Sequence, residues 1–236
     1  MYVKNSIKEK RKDSEIRKKK GKISIQSLLI SDIYVILAIN NEEERMSDFF
    51  LREMDFKLAG AILMDLRILE KIHIHNEMIR VVDPKPIGDL FLDHAFNEIK
   101  SYQNPKKLEK LIYTLPTTQL FKLLVERLDS YRIIEYSEKR GQFKNELFIK
   151  NLREDVSNEI QQELYNILLY NHTPDKKYYY LISFLRIDSM YRDLINRSFF
   201  ERVDQKKVSK RIKSINSNET IGAKVQNAII SKTGKE

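Results

Sequence analysis

The run IYVILAI (33–39) has no polar face, and with Ser31-Asp32 just ahead of it the pattern predicts a central helix that starts at that pair. NNEEERMSD (40–48) then reads as a charged loop. FKLAGAILMDLRILEKI (56–72) places Leu58, Ile62, Leu66 and Leu69 at helical spacing, and Ala59, Gly60 and Ala61 leave room for another backbone to come close. A second core helix is expected there. IHIHNEMIRVV (72–82) alternates strictly about His75-Asn76-Glu77, which predicts a small hairpin.

PIGDLFLDHAF (86–96) brings Asp89, Asp93 and His94 within six positions, an arrangement that invites a catalytic reading. Local chemistry explains it better. Pro84 and Pro86 stop the preceding strand, Gly88 supplies a turn, and Asp89 is placed to cap a helix whose apolar positions Leu92, Ala95, Phe96 and Ile99 follow. Asp93, in the first turn, complements the helix dipole. Further on, a helix is expected over 106–115, ended by Pro116. TTQLFKLLVERLDSY carries Leu120, Leu124 and Leu128 on one stripe, and RIIEY, the polar turn SEKRGQFKNE and LFIK form a second hairpin. Amphipathic helices are expected near 155–170 and 175–196, separated at Thr173-Pro174, and VSKRIKSI and AKVQNAII predict docked C-terminal helices.

Charge changes the picture at one end. The formal net charge is +9, but residues 1–22 hold ten Lys or Arg against three acids, a net +7, leaving +2 for the rest. So basic a stretch, with little apolar surface to bury, is expected to be a disordered arm, with a single domain over 23–236. The longest apolar run is far short of the roughly 20 residues of a membrane-spanning helix, and no secretory leader is evident, so a cytoplasmic protein is expected. There is no cysteine, which excludes disulfides and thiolate metal sites.

Catalytic chemistry finds no foothold. Four histidines, six glycines and no glycine-rich phosphate loop supply no set of nucleophile, base and oxyanion donors, so a non-enzyme without cofactor is expected. His73-x-His75 places two imidazoles on one side of a strand, but no third metal ligand accompanies them; they read as the wet side of that strand.

Three motifs together resemble the Golgi phosphoprotein 3 family: KLAGAILMDLRILEKIHI (57–74), PIGDLFLDHAF (86–96) and LLVERLDSYRIIEY (123–136), with a weaker likeness over about 28–230. The resemblance implies a mainly α single domain, a central helical bundle surrounded by amphipathic helices, with small β-hairpins at about 72–82 and 133–149. It also implies a peripheral membrane adaptor that binds phosphatidylinositol 4-phosphate on the cytosolic face of the Golgi, holds short cytosolic tails of membrane proteins for trafficking or retention, and self-associates or meets the membrane through the second hairpin. The family's pocket residues fall at Phe50, Ala59, Thr118 and Phe121, none of them basic here.

Lys57 and Lys122 are the nearby substitutes for headgroup charge, with Phe50 as an apolar wedge. Phe49, Phe143, Lys18, Lys19 and Lys20 are the expected membrane contacts. The competing reading is a nucleic-acid-binding winged-helix-like module, because helix, strand, turn and strand over 117–150 follow one another behind a basic arm. Its recognition helix would need polar and basic groups facing the bases, and TTQLFKLLVERL offers few.

Overall fold

The computed structural model describes residues 24–40, 42–46, 51, 53–102, 104–140, 145–187, 204–215 and 220–233. Within them the fold is mainly helical, as expected. Nine α-helices, with three small antiparallel sheets, make up the described residues. Helix α1 (Ile30–Ala38) is buried at every position, and it packs on α2 (Met54–Ile68), which is buried continuously from Phe56 to Leu66. Helix α2 is the axis of the molecule. Around it pack α3 (Leu90–Lys100), α4 (Leu108–Thr114), α5 (Thr117–Ser130), α7 (Lys176–Ile187) and α9 (Thr220–Thr233), while α6 (Glu154–Leu169) and α8 (Gln205–Ile215) lie further out.

An apolar helix with no polar face has to hide its ends as well as its sides. Helix α1 starts one residue before the Ser31-Asp32 pair, at Ile30, with Leu29 as its N-cap. Its first amides are satisfied from elsewhere in the chain: Asp65 of α2 accepts from Ile30 N at 2.6 Å and Ser31 N at 3.1 Å, and from the Ser31 hydroxyl at 2.7 Å. Asp32 in turn accepts from Leu29 N at 2.8 Å. The apolar stripe expected on α2 ends at Ile68, since Leu69 forms the C-cap and is 40% exposed.

The expected charged loop after α1 contains a short ribbon, β1 (Ile39–Asn40) with β2 (Arg45–Met46). It is held beside the second hairpin by Ile149 N donating to Glu44 O at 2.9 Å. The first hairpin, β3 (Ile72–His75) and β4 (Met78–Val81), turns through Asn76 and Glu77, both at positive φ, as a two-residue type I′ turn requires. Glu77 is an uncommon choice there. Its carbonyl accepts from Leu108 N at 2.7 Å and its carboxylate pairs with Lys224 of α9 at 2.7 Å.

Lys106 and Lys107, expected to open a helix, instead form β5 against β4, so α4 begins two residues later. The second hairpin, β6 (Ile134–Arg140) with β7 (Asn145–Asn151), runs further into the polar segment than the turn-like composition predicts, because backbone pairing continues where side chains no longer alternate. The helices expected at 155–170 and at the C-terminus are present; of the one expected at 175–196, residues 176–187 are described. Residues 1–22, read as an arm, lie outside the described residues. No described helix is long and apolar enough to cross a membrane.

Candidate functional site

Pro116 forces a corner between α4 and α5, and that corner leaves an open cleft of about 940 Å³. Ile112, Tyr113 and Leu115 arrive from α4 and its end, Thr117, Thr118, Gln119 and Lys122 from the first turns of α5, Asp55 and Phe56 from the start of α2, and Lys232 from the last turn of α9. The aromatic wall is organised: Phe56 and Tyr113 meet edge to face at 5.0 Å, and the Tyr113 hydroxyl donates to Ala228 O at 3.2 Å.

Two cations and one anion share this space. The Lys232 ammonium sits 4.9 Å above the Phe56 ring, and Lys122 is exposed with no acidic partner among the described residues. Asp55 is held by the Thr117 hydroxyl, which donates to its Oδ1 at 2.7 Å. The site thus joins positive charge to an apolar lip, of which Tyr113 remains 45% exposed.

Of the two described residues proposed for a headgroup, Lys122 lines the cleft and Lys57 does not. Lys57 is buried at 2% exposure, with its Nζ 3.9 Å from Glu53, so it serves the interior of the molecule rather than a surface site. Phe50, Phe49, Phe143, Lys18, Lys19 and Lys20 lie outside the described residues. Among the family's pocket positions, Thr118 lines the cleft, whereas Ala59 and Phe121 are buried. Lys232 escaped sequence reasoning because 110 positions separate it from Lys122 and α9 has no motif of its own.

The acids of PIGDLFLDHAF are structural. Asp89 caps α3, accepting from Leu92 N at 3.0 Å, and its other oxygen takes the Arg127 Nε–H at 2.7 Å. Asp93 reaches back to the amides of Ile87 at 2.6 Å and Gly88 at 3.0 Å, which fixes the turn ahead of the helix rather than merely facing the dipole. Arg127 also donates to buried Asp32, so one guanidinium joins α1, α3 and α5. Burial disfavours its charge, but the two carboxylates outweigh that and hold its pKa above the ordinary value. Burial likewise raises Asp32, against the opposing pull of Arg127.

A Golgi phosphoprotein 3 (GPP34) family model matches residues 30–231. The chain belongs to the Golgi phosphoprotein 3 family. A search of the curated proteins returns no match. In this Golgi phosphoprotein 3 family member α5 is no recognition helix: Leu120, Phe121, Leu124, Val125 and Leu128 are buried and Arg127 is turned inward. His73 and His75 stand exposed and stacked at 6.4 Å on β3, and no group of metal-binding residues occurs among the described residues.

A second cationic surface lies on α8. Its buried side is Val208 and Ile212, and Arg211 is tied down by donating to Ile167 O at 3.3 Å and His172 O at 3.1 Å. Lys206, Lys207, Lys210 and Lys213 are all exposed, and residues 205–215 contain no acid.

Proposed function

We propose that this member of the family is a peripheral membrane adaptor that binds anionic lipid through the cleft at the α4–α5 corner and holds short tails of membrane proteins on its body. The observation that carries the reading is the convergence of Lys122 and Lys232 with Phe56, Tyr113 and Leu115 in one open cleft. Ammonium groups beside an apolar lip suit a boundary where phosphate headgroups meet acyl chains. Phosphatidylinositol 4-phosphate is the ligand that the family resemblance implies; the family's arginine positions are not basic here, and Lys122 and Lys232 supply the positive charge of this cleft for an acidic headgroup. The lysine face of α8 and the basic segment 1–22, with Lys18, Lys19 and Lys20, supply attraction without headgroup selectivity. Phe49, Phe50 and Phe143 are proposed as apolar contacts, and the second hairpin as the route to self-association. The setting is the cytosolic face of the Golgi, where the host has one.

Vesicle flotation tests this directly. The protein is expected to float with acidic but not neutral vesicles, and Lys122→Glu with Lys232→Glu should cut flotation several-fold while the thermal unfolding midpoint stays put, both side chains being exposed. Equal flotation of wild type and the double variant on acidic vesicles would sink the role given to the cleft.

A further inference from the structure

We infer that the cleft at the α4–α5 corner selects a lipid phosphodiester whose headgroup carries free hydroxyls, of the phosphatidylglycerol or phosphatidylinositol kind, over one ending in a phosphomonoester. The inference rests on the lipid-binding reading above and adds to it the chemistry of the ligand.

Charge is the first observation. Among the described residues the lining holds two ammonium groups and one carboxylate, a net +1, and contains no arginine. A phosphodiester carries a single negative charge, which two lysines beside one acid can match. A terminal phosphomonoester carries about −1.5 to −2 near neutral pH and is ordinarily gripped by guanidinium forks, whose paired parallel hydrogen bonds a lysine cannot make. Among its described residues the cleft lacks both the charge and the forks.

Asp55 is the second. A carboxylate only accepts hydrogen bonds, so on the wall of an anion site it repels a further phosphate and favours a donor. Its Oδ1 is taken by Thr117 at 2.7 Å, while its Oδ2 has no partner among the described residues. Thr118 and Gln119 stand exposed beside it and offer both donors and acceptors. Lysines for one diester phosphate and an acceptor for its hydroxyls therefore sit in one cleft, above the apolar lip of Phe56 and Tyr113.

The test uses the full chain and vesicles at equal mole fraction of phosphatidylglycerol or phosphatidylmethanol, which share one diester charge and differ in the hydroxyls. A third set contains phosphatidylinositol 4-phosphate at matched zeta potential. Wild type should bind phosphatidylglycerol about fivefold better than phosphatidylmethanol, the size of one net hydrogen bond, and gain nothing from the monoester. Asp55→Ala should erase the difference between the two diesters and shift binding toward the monoester, with native helical circular dichroism and a cooperative melt as the control for folding. Equal binding of both diesters, or preference of the wild type for the monoester, overturns the inference and leaves lipid binding standing. Failure to bind any acidic vesicle overturns both. Competition by soluble glycerophosphoglycerol at the concentration of the vesicle lipid would assign the cleft to a free diester and overturn the lipid assignment.

Discussion

Arg127 Nε donates to Asp89 Oδ2 at 2.7 Å, so the acid that caps α3 also closes an ion pair with α5, 38 positions away. Because Arg127 simultaneously serves Asp32, which is fully buried, removing the guanidinium leaves a carboxylate in the interior with no compensating charge. Arg127→Met is expected to cost about 3–5 kcal/mol, read as a lower urea midpoint at unchanged slope. Asp89→Asn and Asp89→Ala both lose the ion pair, but Asn keeps an acceptor for Leu92 N, so it should cost about 1 kcal/mol less than Asp89→Ala, which loses the cap as well. Equal losses for the two Asp89 variants would contradict the double role.

Asp65 makes the pH dependence of stability unusual. Burial pushes its pKa up to about 7 from an ordinary 3.8, against the hydrogen bonds from Ser31 and Ile30 that favour the charged form. A raised pKa means that the folded state holds the proton more tightly than the unfolded chain. The contribution is complete below about 3.8 and is lost as pH rises through about 7. Asp65→Asn should remove from this window a slope of up to about 1.4 kcal/mol per pH unit, measured by urea unfolding at several pH values. A variant with the same slope as wild type would show that Asp65 does not set it.

Gly88 adopts φ +85°, and a Cβ built there meets nothing within 4 Å. Space is free, so the whole cost of Gly88→Ala is backbone strain, about 1 kcal/mol. Thermal unfolding should record a small loss. Loss of the folded state would imply a crowded site instead.

On the reading proposed above, reversing Lys206, Lys210 and Lys213 on α8 should reduce flotation on acidic vesicles at low salt and matter little at high salt, since exposed charges act through a screened field. Stability should be unchanged, because the anchoring of α8 rests on Val208, Ile212 and Arg211. A salt-independent loss would argue for damage to the fold.

Much of the fold was legible in local sequence. Periodicity located α2, α3 and α5, strict alternation located the β3–β4 hairpin, and the cap on α3 followed from Asp89 and the prolines before it. These are short-range consequences of side-chain spacing and backbone capping. The β5 strand was missed because a two-residue strand has no period of its own and exists only where β4 is present to pair with it.

Lys57 shows how a clue in the sequence can be passed over. From Phe56 to Leu66 the only charged residues are Lys57 and Asp65, on a segment with no polar face, and both are buried with partners. A helix surrounded on all sides takes its charges inside with it. That rule makes Lys57 a poor surface candidate, even though its position beside the small-residue motif suggested otherwise.

By itself, then, the sequence determined where most of the described helices lie, that no cysteine chemistry occurs, that Asp89 starts a helix, and which family the chain resembles, since each depends on residue identity at close spacing. The tertiary structure alone decided that Asp65 caps α1, that Arg127 ties three helices together, and that Lys232 joins Lys122 across a cleft. Those partners lie 34 to 110 positions apart, and only the packing of helices around α2 brings them within reach.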